Sequence, residues 1–281
     1  MKRLFTFASL VLLACLIAMP HTAEAKKPKK QGIITVQDGQ FMRDGKPYYF
    51  VGTNFWYGAI LGSEGEGGDR ERLAKELDFM KAHGIDNLRV LIGGEGENGL
   101  LGKIEPNLQP KPGEYNDEVL AGLDYLLMEL GKRDMTAVLY FNNAWEWSGG
   151  YTQYVAWANN EPVLVPRVDG WFSYNTFAGE FVRNERAKEL YYNHVRYIVT
   201  RTNRYTGIKY IDDPAIFSWQ ISNEPRAFSS KEQDNKEHFA EWLATSAKLI
   251  RELDPNHMIS TGSEGYYGSA WDMDLCEKIH A

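Results

Sequence analysis

Apolar and polar positions change rhythm repeatedly along this chain, and each change marks an element. From 33 to 50 they alternate around two turns, Asp38-Gly39 and Asp44-Gly45-Lys46, which predicts a small N-terminal β-hairpin. Residues 48–54 are apolar and strand-like. Leu73, Leu77 and Met80 then recur at helical spacing across 69–83, with Asp69 placed to cap the start and Gly84 just past the end. A strand follows at 87–92. Leu120, Leu123, Leu127 and Leu130 share one helical face across 117–130, and a β-branched and aromatic run at 135–141 ends in two asparagines. Beyond a long loop rich in Gly, Trp and Tyr, the pattern predicts a helix at 183–201, a strand at 215–222, a helix at 236–253 and a strand at 258–261.

Strand and helix alternate, and the strands are near-continuous apolar runs of the kind covered on both faces. A doubly wound sheet and a (β/α)8 barrel both fit. The nearest approach to a dinucleotide-binding turn, Gly62-Ser63-Glu64-Gly65-Glu66-Gly67-Gly68, carries acidic residues that would repel a pyrophosphate, so it reads as an open loop. The polar, aromatic-rich loops all follow strand C-termini, whereas the returns from helix to strand are short and plain. That asymmetry favours the barrel. Five of its eight strands are legible, so the expectation is an incomplete (β/α)8 TIM barrel across 33–281.

Residues 1–25 read as a secretory signal: Lys2 and Arg3 form a basic head, an apolar middle follows, and Ala23-Glu24-Ala25 gives a small-x-small cleavage site. The apolar run is too short for a membrane span. Secretion or delivery to a periplasm is the expected address, with lipid attachment at Cys15 after Leu12-Leu13-Ala14 as the second reading. Residues 26–32 read as a basic, flexible leader. A net charge of -7 disfavours nucleic acid as the partner, since little would neutralise its phosphates. Removal of Cys15 would leave Cys276 as a lone thiol, so neither a disulfide framework nor a four-thiolate zinc site is available. The six histidines are scattered without ligand spacing, with His83 and His257 read as structural, and no cofactor is expected. The 8 Trp, 16 Tyr and 13 Phe, many of them in loops, suit flat ligands and sugar rings.

The strongest local signal for chemistry is Ser218-Trp219-Gln220-Ile221-Ser222-Asn223-Glu224-Pro225-Arg226. A buried strand ends in an amide beside a carboxyl, and Pro225 stops the ladder, so both side chains arrive at the strand's C-terminal edge. Shielded by Trp219 and the loop aromatics, Glu224 suits proton donation to a leaving oxygen. The competing reading is a loop cap by Asn223 with Glu224 merely exposed. Glu95 and Glu97 read as solvated loop charges.

Asn223-Glu224-Pro225 closing a strand, Asn87-Leu88-Arg89-Val90 on an earlier one, and Gly52-Thr53-Asn54-Phe55-Trp56-Tyr57 at the opening together resemble glycoside hydrolase family 5, a retaining (β/α)8 family. The stretch from Phe141 through Asn142-Asn143-Ala144-Trp145-Glu146-Trp147 to Gly150, with Leu253-Asp254-Pro255-Asn256-His257-Met258 and Gly262-Ser263-Glu264-Gly265, is similar to its β-mannanase branch. Two departures stand out: Ala144 interrupts the usual Asn-Asn-Trp, and Trp56-Tyr57 reverses the usual order. The resemblance implies an endo-acting β-1,4-mannanase whose partner is β-mannan or a related plant polysaccharide. It makes Glu224 the acid/base and Asn223 the amide that holds the sugar 2-hydroxyl. Arg89 becomes the cation that keeps the nucleophile ionised, and Trp145 and Trp56 become mannose platforms. Arg89 as half of a buried ion pair, and each Trp as core, are the structural alternatives. The family nucleophile is a glutamate ending the seventh strand, so it is expected outside this chain, and Glu264, which belongs to a different family motif, is not assigned to it. An endo-β-1,4-glucanase of the same family and a non-catalytic carbohydrate-binding protein are the rival functions.

Overall fold

The computed structural model describes residues 32–280. The signal, the possible lipid site at Cys15 and nearly all of the basic leader lie outside the described residues. The alternating segment forms more than one hairpin: β1 (Thr35–Gln37), β2 (Gln40–Arg43) and β3 (Lys46–Pro47) make an antiparallel meander. Both connections have two successive residues at positive φ, Asp38-Gly39 and Asp44-Gly45, the geometry whose twist matches the flanking strands.

Five parallel strands follow: β4 (Gly52–Asn54), β5 (Asn87–Leu91), β6 (Thr136–Tyr140), β7 (Ile216–Gln220) and β8 (Met258–Ser260). Their spatial order is their chain order, β4-β5-β6-β7-β8. A doubly wound sheet reverses direction at a switch point, whereas a barrel adds each strand to the same side of the last. The sheet is therefore barrel-type, an incomplete (β/α)8 arrangement preceded by the N-terminal meander.

Helices α1 (Gly58–Leu61), α2 (Arg70–Ala82), α3 (Asp117–Lys132), α4 (Gly150–Asn159), α5 (Pro166–Asp169), α6 (Trp171–Gly179), α7 (Glu185–Val199), α8 (Lys236–Leu253) and α9 (Met273–His280) complete the described elements. As the sequence predicts, Asp69 caps α2 by accepting from Arg72 N, and Leu73, Leu77 and Met80 are its buried face. The loop predicted after β6 in fact contains α4, α5 and α6. Residues 150–156 of α4 are all buried, so no polar face betrays the helix to a periodicity argument.

Pairing register sorts the side chains between two layers. Leu88, Val90, Ala137, Leu139 and Trp219 face outward into the core shared with the helices. Arg89, Leu91, Val138, Tyr140, Ser218 and Gln220 share the inner face. A bulge leaves Phe217 without a register partner between Ile216 and Ser218. Phe217 packs instead on Phe41 of the meander and on Phe50 just after it, with ring centroids at 5.2 and 4.9 Å. The meander thus lies against the N-terminal end of the sheet and leaves the C-terminal edge to the long loops.

Candidate active site

Glu224 follows β7 at φ +47°, a left-handed conformation that is rare for a residue with a side chain and here sets the carboxyl at the strand's end. Its amide is held by Gly262 O at 3.1 Å. One carboxyl oxygen accepts from Trp145 Nε1 at 2.5 Å, so the indole from the loop after β6 fixes the direction of the acid. The shielding assigned to Trp219 is a correction: its indole points outward, donates to Asp254 Oδ2 at 2.7 Å and stacks on Phe141. Trp145 is the aromatic at the carboxyl.

Asn223 is buried and does not cap a loop. Its Oδ1 accepts from Arg89 Nη2 at 2.9 Å, and its Nδ2 donates to Asn143 Oδ1 at 2.9 Å. Arg89 reaches it from the inner face of β5 and also donates from Nε to Gln220 Oε1 at 2.7 Å. The guanidinium lies 4.2 Å from the centroid of the Tyr140 ring. Among the described residues Arg89 forms no ion pair within 4 Å, and its partners are the two amides and the Tyr140 ring. Burial pulls Arg89 below its ordinary pKa, while Tyr140 and Glu224 oppose the shift. An arginine with so high a starting value stays charged, and it presents that charge beside Asn223.

The structure thus brings Arg89, Asn223, Glu224 and Trp145 together. Trp56 is not among them: it is half-buried and packs edge-on against Trp147 at 5.8 Å and Tyr57 at 5.4 Å. Trp145 meets Trp171 and Phe228 edge-on, at 6.1 and 6.0 Å, and Arg226 lies 4.4 Å from its ring. Glu264 is gripped by that arginine through two bonds of 2.5 and 2.8 Å. Among the described residues no group of three His, Cys, Asp or Glu side chains is placed to hold a metal, and no helix is long and apolar enough to cross a membrane.

The reading of Glu95 is overturned as well. Glu97 is exposed, but Glu95 is wholly buried rather than a solvated loop charge. Burial pushes its carboxyl up to about 7, against opposing bonds from the Gly150 and Gly94 amides, the Lys103 charge and the Tyr154 hydroxyl. The two donors from the 148–159 region, Gly150 N and the Tyr154 hydroxyl, lie 55 and 59 residues downstream, and a Gly-rich context carries no sign of them.

A parallel barrel-type sheet with a carboxyl, an amide, a guanidinium and an indole converging beyond its strand C-termini defines the class of β/α-barrel enzymes whose sites are built there. The chain belongs to glycoside hydrolase family 5, and the family model described as "GH family 5 beta-mannosidase-like" matches residues 31–281. A rice (Oryza sativa subsp. japonica) protein named mannan endo-1,4-beta-mannosidase 1 is 31% identical over 94% of this chain and 57% of its own length. The family 5 mannosidase of Rhizomucor miehei, solved as a point mutant in complex with mannosyl-fructose, superposes with a TM-score of 0.79 at 34% identity, over 88% of this chain and 58% of that one. The endo-1,4-beta-mannanase of the same organism gives 0.66 at 25% identity, over 87% and 68%. The chain therefore spans less than two thirds of the rice relative and of the mannosidase.

Proposed function

We propose that this site belongs to a hydrolase that cleaves internal β-1,4 bonds of mannan with retention of configuration. The observation that carries the reading is Glu224, set at a strand's end in a rare backbone conformation with its carboxyl steered by Trp145 and flanked by the Asn223–Arg89 pair. Glu224 gives its proton to the departing glycosidic oxygen as a second carboxylate, about 5–5.5 Å away, attacks the anomeric carbon. Glu224 then takes a proton from the water that releases the sugar from that carboxylate. Asn223 holds the 2-hydroxyl, Arg89 provides the counter-charge for the nucleophile, and Trp145, with Trp56 farther out, offers faces to mannose rings. The resemblance implies a nucleophile at the end of a seventh strand, and the engagement of Glu264 by Arg226 supports leaving Glu264 out of that role. The leader pattern at 1–25 supports export of the protein.

A second reading, action on short mannosides, draws support from the greater likeness to the Rhizomucor mannosidase than to the endo-mannanase of that organism. Viscosity decides between them, because internal cleavage thins a mannan solution well before much sugar is released. Glu224→Ala is expected to lower kcat/KM for mannan by about 10²–10⁴-fold and to spare kcat/KM for dinitrophenyl β-mannoside, whose leaving group needs no proton, while kcat on that substrate falls because the attacking water has lost its base. Equal loss of kcat/KM on both substrates would remove Glu224 from the acid role. Cellulose turned over faster than mannan would select the glucanase, and mannan bound without release of reducing ends would select the binding protein.

A further inference from the structure

Glu95 is a buried carboxyl for which the mechanism above has no use. It joins two loops. From the loop after β5, its Oε2 accepts from Gly150 N at 2.9 Å and its Oε1 from the Tyr154 hydroxyl at 3.3 Å. Its own amide donates to Ser148 O at 2.9 Å, and Lys103 Nζ donates to its carbonyl. Gly150 opens α4, a helix with no side-chain cap at its own N-cap residue, so Glu95 accepts one of the helix's first free N–H groups from a loop 55 residues upstream. The contact depends on glycine at 149, where φ is +95° and a Cβ would stand 2.3 Å from the Glu95 carbonyl oxygen.

The segment held in this way leads directly to the acid. Tyr151 N donates to Asn143 O at 3.1 Å, and Asn143 Nδ2 to Ser148 Oγ at 3.1 Å. Asn143 Oδ1 accepts from both Trp145 N and Asn223 Nδ2, and Trp145 Nε1 ends the series on Glu224. We propose that Glu95 is a positioning residue that clasps the 142–150 loop to the loop after β5 and thereby sets where Trp145 and Asn143 meet Glu224 and Asn223. The proposal rests on the hydrolase reading of that site.

The test separates an acceptor from mere bulk. Glu95→Gln keeps an oxygen for Gly150 N, whereas Glu95→Met fills similar space without one. On the polypeptide that hydrolyses mannan, Glu95→Met is expected to lower kcat on mannan at least tenfold with KM within twofold. It should leave kcat/KM for dinitrophenyl β-mannoside, which reports only the first step, nearly untouched, because what is lost there is aim of the proton, and Glu95→Gln should retain most of the activity. Tyr154→Phe, which removes one donor and keeps the ring, should shift the same ratio of kcat/KM values by a smaller factor, and it serves if the Met variant does not fold. Equal loss of kcat/KM on both substrates, or wild-type kinetics in both Glu95→Met and Tyr154→Phe, would overturn the proposal. A protein that turns over neither substrate defeats the hydrolase reading alone. Amide exchange then decides the clasp: Gly150 and Trp145 should exchange at least tenfold faster in Glu95→Met, or in Tyr154→Phe if Met does not fold, with Leu139 unchanged. Unaltered exchange at Gly150 and Trp145 would sink it.

Discussion

Arg89 bridges the side-chain amides of Gln220 and Asn223 with its back to Tyr140, so its charge is held in one place by three neighbours. Losing that charge is different from losing the side chain's bulk. Arg89→Met keeps the aliphatic length and is expected to cut kcat/KM for mannan about 10²-fold while circular dichroism stays native. Arg89→Lys should rescue little, since a single ammonium cannot serve two amides in a fixed fork. Full activity in Arg89→Met would make the residue structural. Asn223→Ala removes the amide between Arg89 and Asn143, and about 10²-fold should be lost in kcat with a smaller change in KM, because a bond to the 2-hydroxyl strengthens in the transition state. An effect confined to KM would count against that role. Asn223 and Glu224 stand out in the sequence because a buried strand ends there in an amide beside a carboxyl, but spacing alone barely separates chemistry from a loop cap, and the resemblance carries the choice. Trp145's bond to Glu224 was not legible as such, since the two lie 79 positions apart and only folding joins them.

At the scale of elements, the sequence predicts well a helix that keeps one wet face or repeats a large apolar residue at helical spacing. The helices α2, α7 and α8 each have a buried stripe and an exposed one, whereas α3 is buried along most of 119–130 and is legible through its leucine spacing; all four expected positions lie within a few residues of the observed bounds. The dry helix α4 and the four-residue α1 have no such contrast and pass for loop. The junction of α8 and β8 shows how an element is pinned at its end. Asp254 accepts from Trp219 Nε1 at 2.7 Å and meets His257 Nδ1 at 2.7 Å, and His257 Nε2 reaches Asp213 O at 3.1 Å, which is the satisfied structural histidine expected there. Burial pushes the Asp254 carboxyl up, but the bonds from His257 and Trp219 outweigh it and bring the group down to about 2 from 3.8. A depressed carboxylate contributes stability above its unfolded value and loses it as the pH falls through the folded one. Protection of the 254–260 amides should therefore decline between about pH 4 and pH 2, ahead of the β5 amides. Asp254→Asn should flatten that decline and cost roughly 1–3 kcal/mol at neutral pH by weakening buried bonds. An unchanged acid profile in Asp254→Asn would assign the decline to another group.

For the molecule as a whole, the sheet order decides where apolar surface remains uncovered. Among the described residues β4 and β8 each pair on one side only. Beside β8 lies a cavity of about 630 Å³ that reaches from Phe41 and Phe217 to Met258 and Ile259, and beside β4 a groove of about 430 Å³ lined by Phe55, Phe79 and Met80. Exposed strand edges are solvated by water and cost little in themselves, but they invite pairing with another chain, and the apolar walls beside them have nothing to bury against. The polypeptide 33–281 expressed by itself should therefore bind a hydrophobic dye, associate as its concentration rises and melt over a broad range. Phe79, 63% exposed on α2 at the groove, is the residue to change. Phe79→Glu should reduce dye binding and association together without lowering the melting midpoint, because it removes apolar surface that the fold does not use internally. A sharp thermal transition with no dye binding in the unmodified polypeptide would show that these five strands close off their own core, and the argument from open edges would fail.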